Sequence, residues 1–154
     1  MGGYCCGFGH REFYRDIKNE MQETIERIIA EDNITGFLTG GMGEFDSLFS
    51  STVRTCKLHN NRIQLILVKP YFSNELNTNK EYYESFYDGV MIPEEIAGCH
   101  YKSAIIKRNR WMIEQSDIVI SGVYRDYGGA YRAIKYAEKI HKQVLNLCTY
   151  SYDE

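Results

Sequence analysis

One arginine of this chain sits where a core residue belongs. Over residues 104–116 the apolar side chains Ala104, Ile105, Trp111 and Met112 share one face of a helix, and Arg108 falls at the centre of that face. A buried guanidinium needs an anionic partner, so Arg108 calls for a ligand phosphate or for a carboxylate such as Asp117 or Asp46. Its other outlet is to snorkel to solvent along its aliphatic stem. Arg110 points elsewhere on the wheel and reads as a solvated charge. His10 and Arg11, side by side, are donors suited to a phosphate, and an imidazole that titrates near neutrality also suits acid–base work. Equally, a histidine at a helix start serves as a hydrogen-bonded cap. Glu44 and Asp46 are the carboxylates available for general acid–base chemistry or for ribose hydroxyls. Asp46, in the first turn of a helix, also favours the helix dipole and caps free N–H groups. His10, His59, His100 and His141 are scattered without paired spacing, so no metal site is expected.

These candidates cluster around three glycine-rich turns. The first is Gly7-Phe8-Gly9-His10-Arg11, the second Gly40-Gly41-Met42-Gly43, and the third Tyr127-Gly128-Gly129-Ala130, which runs on into Tyr131. Each lies between an apolar strand-like run and an amphipathic helix-like run. Glycine permits a sharp turn and a close backbone approach, and the following helix aims unpaired N–H groups and its positive end at an anion. The arrangement predicts a phosphate pocket.

The elements that must hold this pocket follow from periodicity. Strands are expected at 4–7, 36–39, 63–68, 117–124 and 144–148, and helices at 12–31, 45–56, 104–116 and 129–141. Such alternation predicts an α/β protein with a Rossmann-like, doubly wound, mostly parallel sheet of about five strands and helices on both faces. In open sheets of this kind ligands sit beyond the carboxyl ends of the strands, where strand order reverses. Residues 70–89 read as an irregular connection rich in rings, Tyr71, Phe72, Tyr82, Tyr83, Phe86 and Tyr87. They suit either a lid over a nucleobase, with Tyr71 on the ligand, or packing of the connection onto the body.

Length and charge narrow the partners. The chain has 154 residues, 44% hydrophobic, and suits one domain over 1–154. A net charge of −3 without a basic run argues against a broad nucleic-acid or anionic-membrane surface. Five cysteines, odd in number and without CxxC spacing, argue against a disulfide framework or a zinc site and suit reduced thiols in the cytoplasm. No apolar run approaches the ~20 residues of a membrane span, and the Met1-Gly2 start lacks Ser or Thr at position 6 for acylation. Ile106 and Ile113, opposite the Arg108 face, predict a sandwiched helix or a homodimer contact.

Spacing excludes two phosphate-binding motifs. No glycine precedes Lys-Ser or Lys-Thr as a Walker A loop requires, and Gly7-x-Gly9 runs on to Glu12 where a dinucleotide fingerprint needs its third glycine. The segments 4–11 (YCCGFGHR), 37–46 (FLTGGMGEFD) and 106–140 together resemble the SLOG superfamily, in particular its small YpsA-like branch, related to LOG and DprA/Smf proteins. The resemblance implies a Rossmann-like fold that binds a nucleotide or a nucleotide derivative such as an ADP-ribose-type signal. LOG relatives are phosphoribohydrolases of nucleoside monophosphates, with a catalytic glutamate in a P-G-G-x-G-T-x-x-E signature. Here the matching stretch, from Asp126, places Ala133 at that glutamate, so LOG-type cleavage lacks its carboxylate unless Glu44 or Asp46 supplies one. Three functions therefore stand: a small-molecule nucleotide binder, a phosphoribohydrolase, and a non-catalytic interaction protein with a vestigial cleft.

Overall fold

A computed structural model describes residues 2–148; Met1, on which the acylation motif begins, lies outside them. The fold is α/β, with six parallel strands in the order β4-β3-β2-β1-β5-β6. The strands are β1 (Gly3–Gly9), β2 (Ile34–Thr39), β3 (Gln64–Val68), β4 (Gly89–Met91), β5 (Ile118–Gly122) and β6 (Gln143–Asn146). Helices α1 (Lys18–Asp32) and α2 (Glu44–Lys57) pack on one face, and α5 (Tyr101–Gln115) and α6 (Gly129–Lys139) on the other. Short helices α3 (Glu75–Thr78) and α4 (Lys80–Phe86) join β3 to β4.

Two apolar layers hold this sheet. Met21, Ile25 and Ile28 of α1 and Phe45, Phe49 and Val53 of α2 recur at helical spacing and cover β1 and β2. On the opposite face Met112 and Ile113 of α5 and Ala133 and Ala137 of α6 pack onto Cys6, Val119 and Leu38. Central strands covered on both faces are apolar without alternation, hence the uninterrupted burial of Ile118–Gly122. Ala133 is thus a core residue at 5% exposure. Ile113 is fully buried and Ile106 is 48% exposed, so the two isoleucines of α5 do not share an outer face.

Three elements differ from the sequence expectation. Helix α1 begins at Lys18, because residues 11–17 run across the sheet edge instead: Arg11 O accepts from Glu44 N–H at 2.8 Å, and the Phe13 ring packs on Phe45 and Tyr124. The segment expected to be irregular contains α3 and α4. It also ends in a sixth strand, β4, whose three residues are too few to show a period. Among the described residues no helix is long and apolar enough to cross a membrane.

Candidate functional site

Because all six strands run parallel, the three glycine turns emerge at one sheet edge, beyond the carboxyl ends of β1, β2 and β5. Strand order reverses between β1 and β5, and a cleft of about 380 Å³ opens there. The first turn lends it Phe8, Gly9, His10 and Arg11; the second, Met42 and Asp46; the third, Gly128, Gly129 and Ala130; and α5, Ile105, Arg108 and Asn109. Arg125, from the loop after β5, and Glu12, next to Arg11, also line it.

The backbone at this edge is set up for close approach. Helices α2 and α6 start at Gly43 and Gly128, both at φ 99° and neither with a side-chain cap. A Cβ on Gly43 would lie 2.5 Å from Arg11 Cα, so that turn is closed to any larger residue. The ladder of α6 begins with Arg132 N–H donating to Gly128 O at 3.0 Å, and the N–H groups of Gly129 and Ala130 precede it on the cleft wall. Asn146 fixes the loop carrying Arg125: it accepts from Val123 N–H at 3.0 Å and Ser121 Oγ at 3.1 Å and donates to Val123 O at 2.9 Å.

Arg108 is 3% exposed, as its place on the wheel requires. Neither proposed carboxylate pairs with it. Asp117 lies at the opposite edge of the sheet, accepting from Tyr4 N–H at 3.1 Å, and Asp46 is near without forming an ion pair. The guanidinium donates instead to neutral acceptors: Nη1 to Val68 O at 2.8 Å, Nε to Asn109 Oδ1 at 2.8 Å and Nη2 to Met42 Sδ at 3.5 Å. Burial lowers its pKa from the usual arginine value, with Asp46 opposing. Gly40 lies directly beneath, where a Cβ would come within 2.9 Å of Arg108 Cζ.

Asp46 accepts from Met42 N–H at 2.8 Å, across the second turn. Burial pushes its carboxyl up to about 7, against that hydrogen bond and the nearby Arg108 and Arg11. His10 is 4% exposed, edge-on to Tyr124, and its Nε2 accepts from Tyr124 N–H at 3.2 Å. Burial, and then Arg125, lower its pKa to about 4, so the ring is neutral at physiological pH with Nε2 occupied. Glu44 also serves the backbone, accepting from Phe13 N–H.

Ten of the candidate ligand residues converge on the cleft: Phe8, Gly9, His10, Arg11, Met42, Asp46, Arg108, Gly128, Gly129 and Ala130. Gly7, Gly40, Gly41, Gly43, Tyr71 and Tyr131 do not line it. Gly7 sits inside β1 against Phe49, Gly41 and Gly43 face a neighbouring slot, and Tyr131 lies beside Lys135. Tyr71 is 42% exposed and near enough to Arg108 to act on it electrostatically. The rings Tyr82, Phe86 and Tyr87 stand over that neighbouring slot. Sequence reasoning passed over Arg125, Asn109 and Glu12; the signal for the first was a charged residue between β5 and a Gly-Gly helix start. Among the described residues no group of three or more His, Cys, Asp or Glu side chains is placed to hold a metal.

No protein-family model and no curated protein matches the chain. Among solved structures it is similar to DNA processing protein A from Helicobacter pylori, at 19% identity and a TM-score of 0.62 over 94% of this chain. The chain spans 64% of that protein's length, and the likeness is one of fold. That protein is described for a unique single-stranded DNA binding mode. Two expectations are thereby corrected: that this pocket type marks a small-molecule nucleotide ligand, and that the chain's charge leaves no nucleic-acid surface. The physical reason lies in the fold. A phosphate cradle does not distinguish a free nucleotide from a strand, and Arg11, Arg108 and Arg125, far apart in sequence, meet in one cleft that a search for basic runs does not detect.

Proposed function

We propose that the chain binds single-stranded nucleic acid, with a backbone phosphate seated in the cleft between Arg11, Arg108 and Arg125. The observation that carries this reading is the convergence of three guanidinium groups from separate segments on the uncapped start of α6. Guanidinium forks and helix-terminal N–H groups are both suited to phosphate oxygens. The chain's fold likeness to a single-stranded DNA binder supports a polymer as the ligand. A cleft open to solvent also lets a strand pass through, whereas an enclosed cavity would not. The motifs at 4–11, 37–46 and 106–140 support kinship with the YpsA-like SLOG branch, and five free cysteines support a cytoplasmic setting.

Fluorescence anisotropy with a labelled thymidine oligonucleotide tests the proposal. Saturable binding that weakens with salt is expected, and it should be lost stepwise in Arg11→Ala and Arg125→Ala. Absence of binding at low salt in a folded sample would sink it.

A further inference from the structure

A second cavity lies beside the arginine cleft, on the far side of the second glycine turn. It is a slot of about 200 Å³ whose floor is the backbone of Gly41 and Gly43. One wall is a polar ridge of α2, Ser47, Ser50 and Arg54, at the spacing of successive helix turns. The other is an aromatic ridge, Tyr82 and Phe86 of α4 with Tyr87 just beyond its end. At roughly 30 Å³ per water the slot holds the equivalent of about seven waters, close to one planar heterocycle. It falls short of the ~300 Å³ at which pockets for whole drug-sized ligands begin.

Two observations say that the slot is built for a ligand. Ser50 lines the slot and is 3% exposed, yet its Oγ has no hydrogen-bond partner among the described residues. A buried hydroxyl left unpaired is costly, and an occupant with hydrogen-bonding edges removes that cost. Arg54 is held over the Phe86 ring, its Cζ 4.4 Å from the centroid, which orients the guanidinium at the slot's outer end. Hydroxyl and guanidinium groups on one wall and rings on the other complement a molecule that is polar at its edge and π-bonded on its face.

We infer that this slot takes one unpaired nucleobase of the strand whose phosphate lies in the arginine cleft. The inference rests on the proposed function. Asp46 lines both cavities, so a strand crossing Met42 reaches one from the other without a detour. Ser47, Ser50 and Arg54 meet the base edge, while Tyr82 and Tyr87 cover a face. Stacking of this kind tolerates any base, and the hydrogen-bonding wall adds a preference.

The test compares a thymidine strand with an equally long strand of abasic tetrahydrofuran spacers, on wild type, Tyr82→Ala and Ser50→Ala. Tyr82 is 55% exposed, so its removal leaves the core intact. Wild type should bind the thymidine strand about 5- to 100-fold more tightly than the spacer strand. Both variants should narrow that ratio and retain the salt dependence of spacer binding. Ser50→Ala should in addition raise the melting temperature of the free protein, because it deletes an unpaired buried hydroxyl. Equal binding of the two strands by wild type would overturn the base slot and leave the phosphate cleft standing. A ratio unchanged in both variants would place the base elsewhere and also overturn it. Failure of wild type to bind either strand would overturn the slot together with the proposed function.

Discussion

Arg125→Ala separates a phosphate contact from a structural role more sharply than any other substitution in the cleft. Arg125 is half-exposed; its Nε is buried without a hydrogen-bond partner, and its neighbours are the ring faces of Tyr124 and Tyr127, at 5.6 and 5.1 Å. Exposed cation–π contacts are worth about 0.5–1 kcal/mol, so removal should cost the fold no more than about 1 kcal/mol. On the ligand side the loss is larger. A hydrogen bond to a charged group contributes about 1.5–3 kcal/mol, which predicts a roughly 10- to 100-fold weaker affinity. The salt dependence gives an independent measure. Each phosphate neutralised on a single strand adds about 0.7 to the log–log slope, so the one phosphate shared by the three arginines predicts about −0.7, and a shallower slope once one of them is removed. Between about 50 and 200 mM salt, the cleft's share of wild-type binding should weaken roughly 2.6-fold, and that of the variant less. Arg125→Lys should keep the wild-type slope and lose part of the affinity, since an ammonium carries the charge without the fork. Anisotropy titrations with a thymidine strand at several salt concentrations read both quantities. An affinity for the thymidine strand at low salt that is identical in wild type and Arg125→Ala would refute the contact.

Further predictions follow from the buried groups. Arg108→Ala should destabilise by about 2–4 kcal/mol in denaturant titration, since it empties a buried site and orphans Val68 O; a change below 0.5 kcal/mol would contradict the burial described. Asp46 is raised to about 7 in the folded state against an ordinary 3.8, so its stabilising contribution is complete in acid and fades as pH rises through 7; wild type should lose about 1.4 kcal/mol between about pH 6 and 8, and Asp46→Asn should not. Lowered to about 4 against 6.5, His10 has the opposite sign: its contribution is present above 6.5 and disappears as pH falls through 4. In an NMR titration Arg125→Ala should move the His10 midpoint upward while leaving it below 6.5, because burial is the larger cause. Gly122→Ala drives a Cβ to within 2.6 Å of the Phe45 ring and should cost about 1–3 kcal/mol by overpacking, seen as a lower melting temperature.

What could be read from the sequence was what depends on local repetition. The α/β alternation, the parallel sheet and the common edge of the three turns follow from period and order, and the burial of Arg108 follows from its four apolar neighbours on one helical face. What escaped depends on tertiary geometry. Residues 12–17 have helical spacing, but Arg11 O and the Phe13 ring are engaged by Glu44 and Phe45, which hold the chain in a non-helical path. The ring-rich connection at 70–89 reads as irregular because α3 and α4 are too short to show a period, and no spacing rule says that Tyr82, Phe86 and Tyr87 stand over the second turn and not over the arginine cleft. Above all, a net charge of −3 describes the whole surface. It carries no information on whether three arginines from different segments face one another.

The cleft can be argued to be the working part of the molecule without the fold likeness. Elsewhere buried hydroxyls such as Ser116, donating to Met112 O at 2.8 Å, and Ser121, donating to Asn146 Oδ1, are paired as the ordinary rules require, although Ser73 Oγ is buried without a partner too. Around the cleft the rules are broken repeatedly within a few residues. A guanidinium is buried with neutral acceptors, a carboxyl beside it is driven toward its neutral form, an imidazole is held uncharged, and Arg125 Nε and Ser50 Oγ lie buried without partners. Apart from the neutral imidazole, whose penalty appears only in acid, these arrangements destabilise the unliganded fold, and sequences that fold well tend to accept such conflicts where function requires them. An anion between Arg11, Arg108 and Arg125 would relieve the first of these and give Arg125 Nε an acceptor, leaving Ser50 Oγ to the neighbouring slot. Protonated Asp46 would then serve the site by withholding a negative charge from it, so strand affinity should rise as pH falls from 8 to 6 in wild type and stay flat in Asp46→Asn. Because His10 titrates near 4, it stays neutral across that window, and affinity that kept its pH dependence in Asp46→Asn would transfer the effect to some other group.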